Sequence, residues 1–278
     1  MSATHYKAPQ TIAPLGIVFG GVAALLGAFV LAPIYALAIA YIPIVYLNAL
    51  LTAGFGGLTG FGVVMALRAG HFQNAALSYV LGFGALLFAY WMHWIAWVAV
   101  LEWRADMPVE VLPLLLPPVL MEIVGLVYEQ GTWSVRSSDP VSGGVLGLVW
   151  AIEALIFFGA GFVGIVGVVG SGTYCERCRA WCDVVGTRLL AHDDSGTLPD
   201  AVNQRQDWAA LVRAEPEPGA AMYHTVEVSQ CPRCRETSTL TLSTVTISHD
   251  SKGNEQRNTK VDADRVFISA ADAARLLG

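Results

Sequence analysis

From Ala8 to Leu67 the chain contains no Asp, Glu, Lys, Arg or His. A hydrocarbon core about 30 Å thick takes about 20 apolar residues to cross as a helix. The stretch is therefore long enough for two spans, expected near 15–40 and 46–67. Pro33, Pro43, Asn48 and the run Tyr41 to Tyr46 mark the turn region between them. The block is too long and too continuous for a cleavable signal peptide. Arg68, His71, Gln73 and Asn74 close the second span, and a third is expected over 75–101. It ends among Trp91, Trp94, Trp97 and Trp103, at a depth where tryptophan suits the headgroup level.

Residues 102–143 read differently and form an expected outer loop. Glu102, Arg104, Asp106 and Glu110 are polar, and the apolar run Val111 to Leu120 carries Pro113, Pro117 and Pro118. Three prolines in so short a run argue against an ordinary spanning helix. A short interfacial or re-entrant segment is expected instead, then a loop from Gly131 through Trp133 to Gly143. The last span is expected over 144–169, making four.

Beyond Gly172 the pattern becomes that of a soluble domain, expected over 173–278 and following a transmembrane domain over 1–172. Tyr223 to Val228 alternates, Thr237 to Ser248 is rich in Thr, Val, Leu and Ile, and Asp250 to Asn254 supplies turn residues. A return strand ends at Val266, Phe267 and Ile268. Ser269 and Asp272 have capping-box spacing for a last helix to Leu277. Gln206 to Ala214 reads as a helix, stopped by Pro216 and Pro218. The expected fold class is thus an α-helical membrane protein plus a small, mostly β, zinc-ribbon-like C-terminal domain.

Charge sharpens the division. Residues 8–170 hold ten charged side chains in 163 positions, and residues 171–278 hold 27 in 108. Soluble domains carry about 25% charged residues, so only the second part has an ordinary soluble surface. Lys and Arg near span ends set orientation. One face has Lys7, Arg68, Arg177, Arg179 and Arg188. The other has Arg104 and Arg136 among Glu102, Asp106, Glu110, Glu122, Glu129 and Asp139. Both termini are therefore expected to be cytoplasmic.

Two features carry candidate chemistry inside the spans. Gly16 and Gly20, Gly56 and Gly60, and the set Gly159, Gly161, Gly164 and Gly167 allow close helix approach. Packing within one bundle explains them, and a homo-oligomer remains open. Glu153 is the one acid well inside a span, and an intramembrane carboxylate calls for a named partner. His93 is the candidate, because both lie at comparable distances from the outer face.

The cysteines carry the rest. Cys175-Glu-Arg-Cys178-Arg179 and Cys231-Pro-Arg-Cys234-Arg235 differ at one position. Paired C-x2-C knuckles supply four thiolates that close tetrahedrally on Zn²⁺. Arg177, Arg179, Arg233 and Arg235 are placed to offset the net charge of the site. The gap of 52 residues between the knuckles requires an insertion. Cys182 is a possible substitute ligand or a packed free thiol. Disulfides are disfavoured in a cytosolic domain, a redox pair lacks its usual strand–helix setting, and an iron–sulfur cluster could use the same thiols.

Residues 171–278 hold 12 Lys plus Arg against 15 Asp plus Glu, which disfavours nucleic acid. There is no phosphate loop, no HExxH motif and no recognisable nucleophile elbow. His192, His224 and His249 have no ligand-like spacing, so nothing in the sequence points to an enzyme. Two functions are expected to compete. One is a membrane-anchored adaptor or assembly factor whose zinc domain contacts a cytosolic protein partner. The other is a small transporter, channel subunit or sensor using Glu153 and His93.

The run YIPIVYLN, then GFG, then GTWS, Trp150 to Ala154 and YCERCRAW together resemble a group of uncharacterised bacterial multi-pass membrane proteins. The likeness covers most of residues 35–182. It implies a bacterial inner-membrane location, makes Glu153 and Trp181 parts of a pattern, and implies no activity.

Overall fold

The computed structural model describes residues 4–42, 44–131, 140–192, 196–205, 207–212 and 220–277. Pro43, most of the loop through Trp133, Arg136 and Asp139, and Pro216 and Pro218 lie outside the described residues. The chain divides into two compact units, Gln10–Ser171 and a second made of Met1–Pro9 with Gly172–Gly278.

Four helices of the first unit are long and apolar enough to cross a membrane: α1 Pro14–Tyr41, α2 Val45–Ala69, α3 Ala75–Arg104 and α5 Gly143–Val168. Pro33 does not mark the turn between α1 and α2. It lies inside α1, just after a π-helical turn at Gly27–Leu31. The wider turn accommodates a residue that cannot donate an N–H and whose ring crowds the preceding turn. Asn74 opens α3 rather than closing α2, its side chain accepting from the Leu77 N–H at 2.9 Å, a side-chain N-cap. Between α3 and α5 lie one turn at Val111–Leu114 and α4, Pro117–Gln130, which is only 14 residues long. Pro117 and Pro118 stand at its first turn, where a missing N–H costs nothing.

The bundle interior is built from Ala28, Ala32, Tyr35, Phe55, Leu86, Phe157 and Ile165. Outward faces are apolar too: Leu155 is 74% exposed and Val163 71%. The glycine pattern divides by contact. Gly56 and Gly60 lie against backbone of Phe157 and Gly161, Gly164 against Gly57 and Phe61, and Gly16 against Phe72, whereas Gly159 and Gly167 face open space. Trp94 and Trp97 pack edge-on against Trp150, while Trp103 stays exposed. At one end Arg68 donates to the Ser171 carbonyl and hydroxyl; at the other, Arg104 donates to the Ala40 carbonyl.

The second unit is an antiparallel meander of four strands in the order β3–β4–β5–β6, with a two-stranded β1–β2 beside it in the sequence. The strands are β1 Tyr174–Cys175, β2 Ala180–Trp181, β3 Asp183–Ala191, β4 Met222–Gln230, β5 Ser238–His249 and β6 Glu255–Ile268. Inward positions Leu190, Val226, Val228, Leu240, Leu242 and Val266 form the core, closed by Leu198, Val202 and Leu211. The last helix, α6 Ala270–Leu277, is capped as its spacing predicts: the Asp272 N–H donates to Ser269 Oγ at 3.1 Å. Residues 4–6 form a strap along β6, with the Tyr6 N–H donating to the Arg265 carbonyl and the Phe267 N–H to the Thr4 carbonyl.

Candidate metal centre and intramembrane polar cluster

The strand register explains how knuckles with 52 residues between them meet. β3 starts directly after Cys182 and β4 ends directly before Cys231, and their ends pair as Asp183↔Gln230. The long insertion is thus a hairpin whose two ends coincide. β4 and β5 are joined by the second knuckle, with Gln230 opposite Ser238. Both knuckles therefore hang from one end of the same sheet.

A backbone hydrogen bond closes each knuckle across its base. The Cys182 N–H donates to the Thr173 carbonyl at 2.8 Å, and the Cys231 N–H to the Thr237 carbonyl at 2.9 Å. The residue after the second cysteine of each knuckle, Arg179 or Arg235, is left-handed, with φ 48° and 57°.

The Sγ atoms of Cys175, Cys178, Cys231 and Cys234 all lie within 4.8 Å of one another. Cys175 Sγ and Cys234 Sγ are 3.8 Å apart. Zn–S bonds of about 2.3 Å in a tetrahedron require about 3.8 Å between sulfurs, so the four thiols fit one metal ion with small contraction. Thr237 Oγ1 donates to Cys175 Sγ at 3.2 Å. The backbone N–H groups of Thr237 and Glu236 hold the Cys234 thiol down to about 6. Desolvation, then its three neighbouring thiols, pushes Cys178 up to about 12.

Cys182 stands apart from the four: it is buried, and its thiol donates to the Thr237 carbonyl at 3.9 Å. The arginines divide their work. Arg177 pairs with Glu236, and Arg233 donates to the Cys178 carbonyl at 2.9 Å, tying one knuckle to the other.

One polar network of the domain was not legible in the sequence. The His192 and His224 rings lie tilted against each other, 5.0 Å between centroids, and Thr244 bridges His224 Nδ1, at 3.0 Å, and Asp262. The signal is cross-strand register, which sets Thr244 directly opposite His224.

In the helical unit, Glu153 and His93 are not hydrogen-bonded to each other. Tyr35 of α1 touches both: its hydroxyl is bonded to Glu153 Oε1, and its ring lies 4.9 Å from the His93 ring between centroids. The Tyr35 hydroxyl also meets Thr52 Oγ1 at 2.7 Å. His93 is 3% exposed, and neither ring nitrogen has a hydrogen-bond partner among the described residues. Tyr35 was missed because a lone tyrosine in an apolar run reads as packing.

No protein-family model, no curated protein and no solved structure matches the chain. Fold and site by themselves define its class: a helical protein with four helices fit to cross a membrane, joined to a small antiparallel β domain that carries a four-cysteine cluster able to hold a metal ion.

Proposed function

We propose that the protein is a bacterial inner-membrane adaptor or assembly factor whose cytoplasmic, zinc-closed domain docks a partner protein. The metal is zinc because four thiolates with no open position are its structural donor set. Cytoplasmic placement of both termini is supported by the Lys and Arg distribution. A common side for both ends is supported by the strap at residues 4–6, which pairs with β6 and fits an even number of spans.

The observation that carries docking is β3. It is an outer strand of the sheet and leaves Val184, Val185 and Leu189 exposed. An outer strand with aliphatic side chains in water accepts an added strand from a partner. A photo-crosslinking residue at Val184 of the full-length protein should capture one defined protein in the native membrane, and Val185→Glu should abolish that capture. Capture indifferent to Val185→Glu overturns the docking reading.

A second reading, a small transporter, channel subunit or sensor working through Glu153 and His93, is favoured by one observation. α1, α2, α3 and α5 each give a residue to the cluster of Tyr35, Thr52, His93 and Glu153. Proteoliposome flux of the full chain against Glu153→Gln tests it.

A further inference from the structure

Three oxygen–oxygen contacts run in series from α5 to α2. They join Glu153 Oε1 to Tyr35 Oη, Tyr35 Oη to Thr52 Oγ1 at 2.7 Å, and Thr52 Oγ1 to the Asn48 carbonyl at 2.8 Å. At such separations each contact must hold one proton, because two lone pairs facing each other repel. The Asn48 carbonyl brings no proton, and Tyr35 and Thr52 bring one each. Two protons do not fill three contacts.

The third belongs on the carboxyl group, which donates once it is protonated. Glu153 then donates to Tyr35, Tyr35 to Thr52, and Thr52 to the carbonyl, with every contact filled in one direction. With a carboxylate instead, one contact stays empty whichever way the hydroxyls turn. The surroundings agree with this count. Residues 8–67, 75–101 and 144–170 contain no Lys or Arg, so an ionised Glu153 would stand in low dielectric without a cationic partner from the spans.

His93 adjoins the site. It is a buried imidazole with neither nitrogen bonded among the described residues, and it lies against the ring of the same tyrosine. The titratable groups facing the site are Tyr35 from α1, His93 and Tyr90 from α3, and Glu153 from α5. From α2, Thr52 and Phe55 bring none.

We propose that Glu153, held by Tyr35 and Thr52, is a proton-binding site inside the helical unit. The purpose of such a site rests on the second reading above, but the bound proton does not.

Infrared spectroscopy of the full-length protein in lipid nanodiscs reads the proton directly and needs no flux. At pH 7 ordinary carboxyls, with values near 4, are ionised. Wild type should then show one protonated-carboxyl C=O band, absent in Glu153→Gln and shifted in Tyr35→Phe, where the hydrogen bond to the carboxyl is lost. A wild type without the band at pH 7, or a band unmoved in both Glu153→Gln and Tyr35→Phe, overturns the site. Flux that fails while the band is present defeats the transport reading alone.

Discussion

Gly60 of α2 and Gly161 of α5 meet with no side chain between them: a Cβ built on Gly60 would stand 2.2 Å from the Gly161 carbonyl oxygen. One turn earlier, a Cβ on Gly56 would stand 2.1 Å from the Phe157 carbonyl. Lipid-embedded helices associate through such close packing, because burial from lipid gives no hydrophobic gain.

Gly60→Val should therefore force α2 from α5 and lower stability by at least about 1–3 kcal/mol, the scale of core overpacking. Gly62, on the same helix, has nothing within 4 Å of its built Cβ. Gly62→Ala should be neutral or stabilising by up to about 1 kcal/mol, from helix propensity. Thermal unfolding of both variants in detergent checks the pair, and equal effects would sink the close-packing account.

The metal site gives a second prediction. Metal analysis of the purified full chain should find one zinc per molecule. Cys231→Ser should lose it and release the β domain from its fold, since structural zinc contributes on the order of 10 kcal/mol to small domains. Cys182→Ser should keep its zinc, because that thiol donates to the Thr237 carbonyl and lies outside the four-sulfur group. Iron with acid-labile sulfide in place of zinc would move the site to a cluster.

The contrast between Cys234 and Tyr35 shows what was legible in the sequence. A thiol at C-x2-C spacing repeated twice announces its partners, because metal geometry fixes what a knuckle is. The spans were legible for a similar reason, since hydrocarbon sets a length and a composition. Tyr35 announces nothing, because its partner is 118 positions away on another helix and only tertiary packing joins them. β3 escaped notice for a different cause. Val184, Val185 and Leu189 are exposed and a bulge falls between Val184 and Gly186, so no period of two survives in the sequence. The π-helical turn before Pro33 is likewise a packing result that hydropathy does not encode.

Arg235 gives a third prediction. Its φ of 57° is left-handed, a region that costs a side-chain-bearing residue roughly 1–2 kcal/mol. Glycine adopts it freely but gives up unfolded-state entropy of about 0.5–1 kcal/mol. Arg235→Gly should therefore leave the zinc content unchanged and raise stability by up to about 1 kcal/mol. Chemical denaturation of the metal-loaded protein reads the difference. A clear loss of stability would show that the Arg235 side chain contributes more than its backbone strain takes away.

The strap at residues 4–6 gives the β domain one pH-dependent contribution. Tyr6 lies edge-on to Phe267 at 6.0 Å between centroids, and Arg265 sits over its ring. Its hydroxyl oxygen accepts from the Tyr174 N–H at 3.1 Å. Burial raises the phenol above its ordinary value, outweighing the Tyr174 bond and the nearby guanidinium, which both favour the anion. A phenol whose folded value exceeds its unfolded one stabilises the fold fully below the unfolded value, near 10. That contribution fades as pH rises from there through the folded value. The strap should accordingly loosen on the alkaline side and stay intact near neutrality. Tyr6→Phe keeps the ring contacts but cannot ionise, so it should lose a little stability at pH 7 by removing the acceptor for Tyr174. Between about pH 9 and 11 it should then decline less steeply than wild type. Unfolding of both proteins across that window, followed by hydrogen exchange at the Tyr6 and Phe267 amides, measures the difference; parallel decline would mean that the phenol is not what holds the strap.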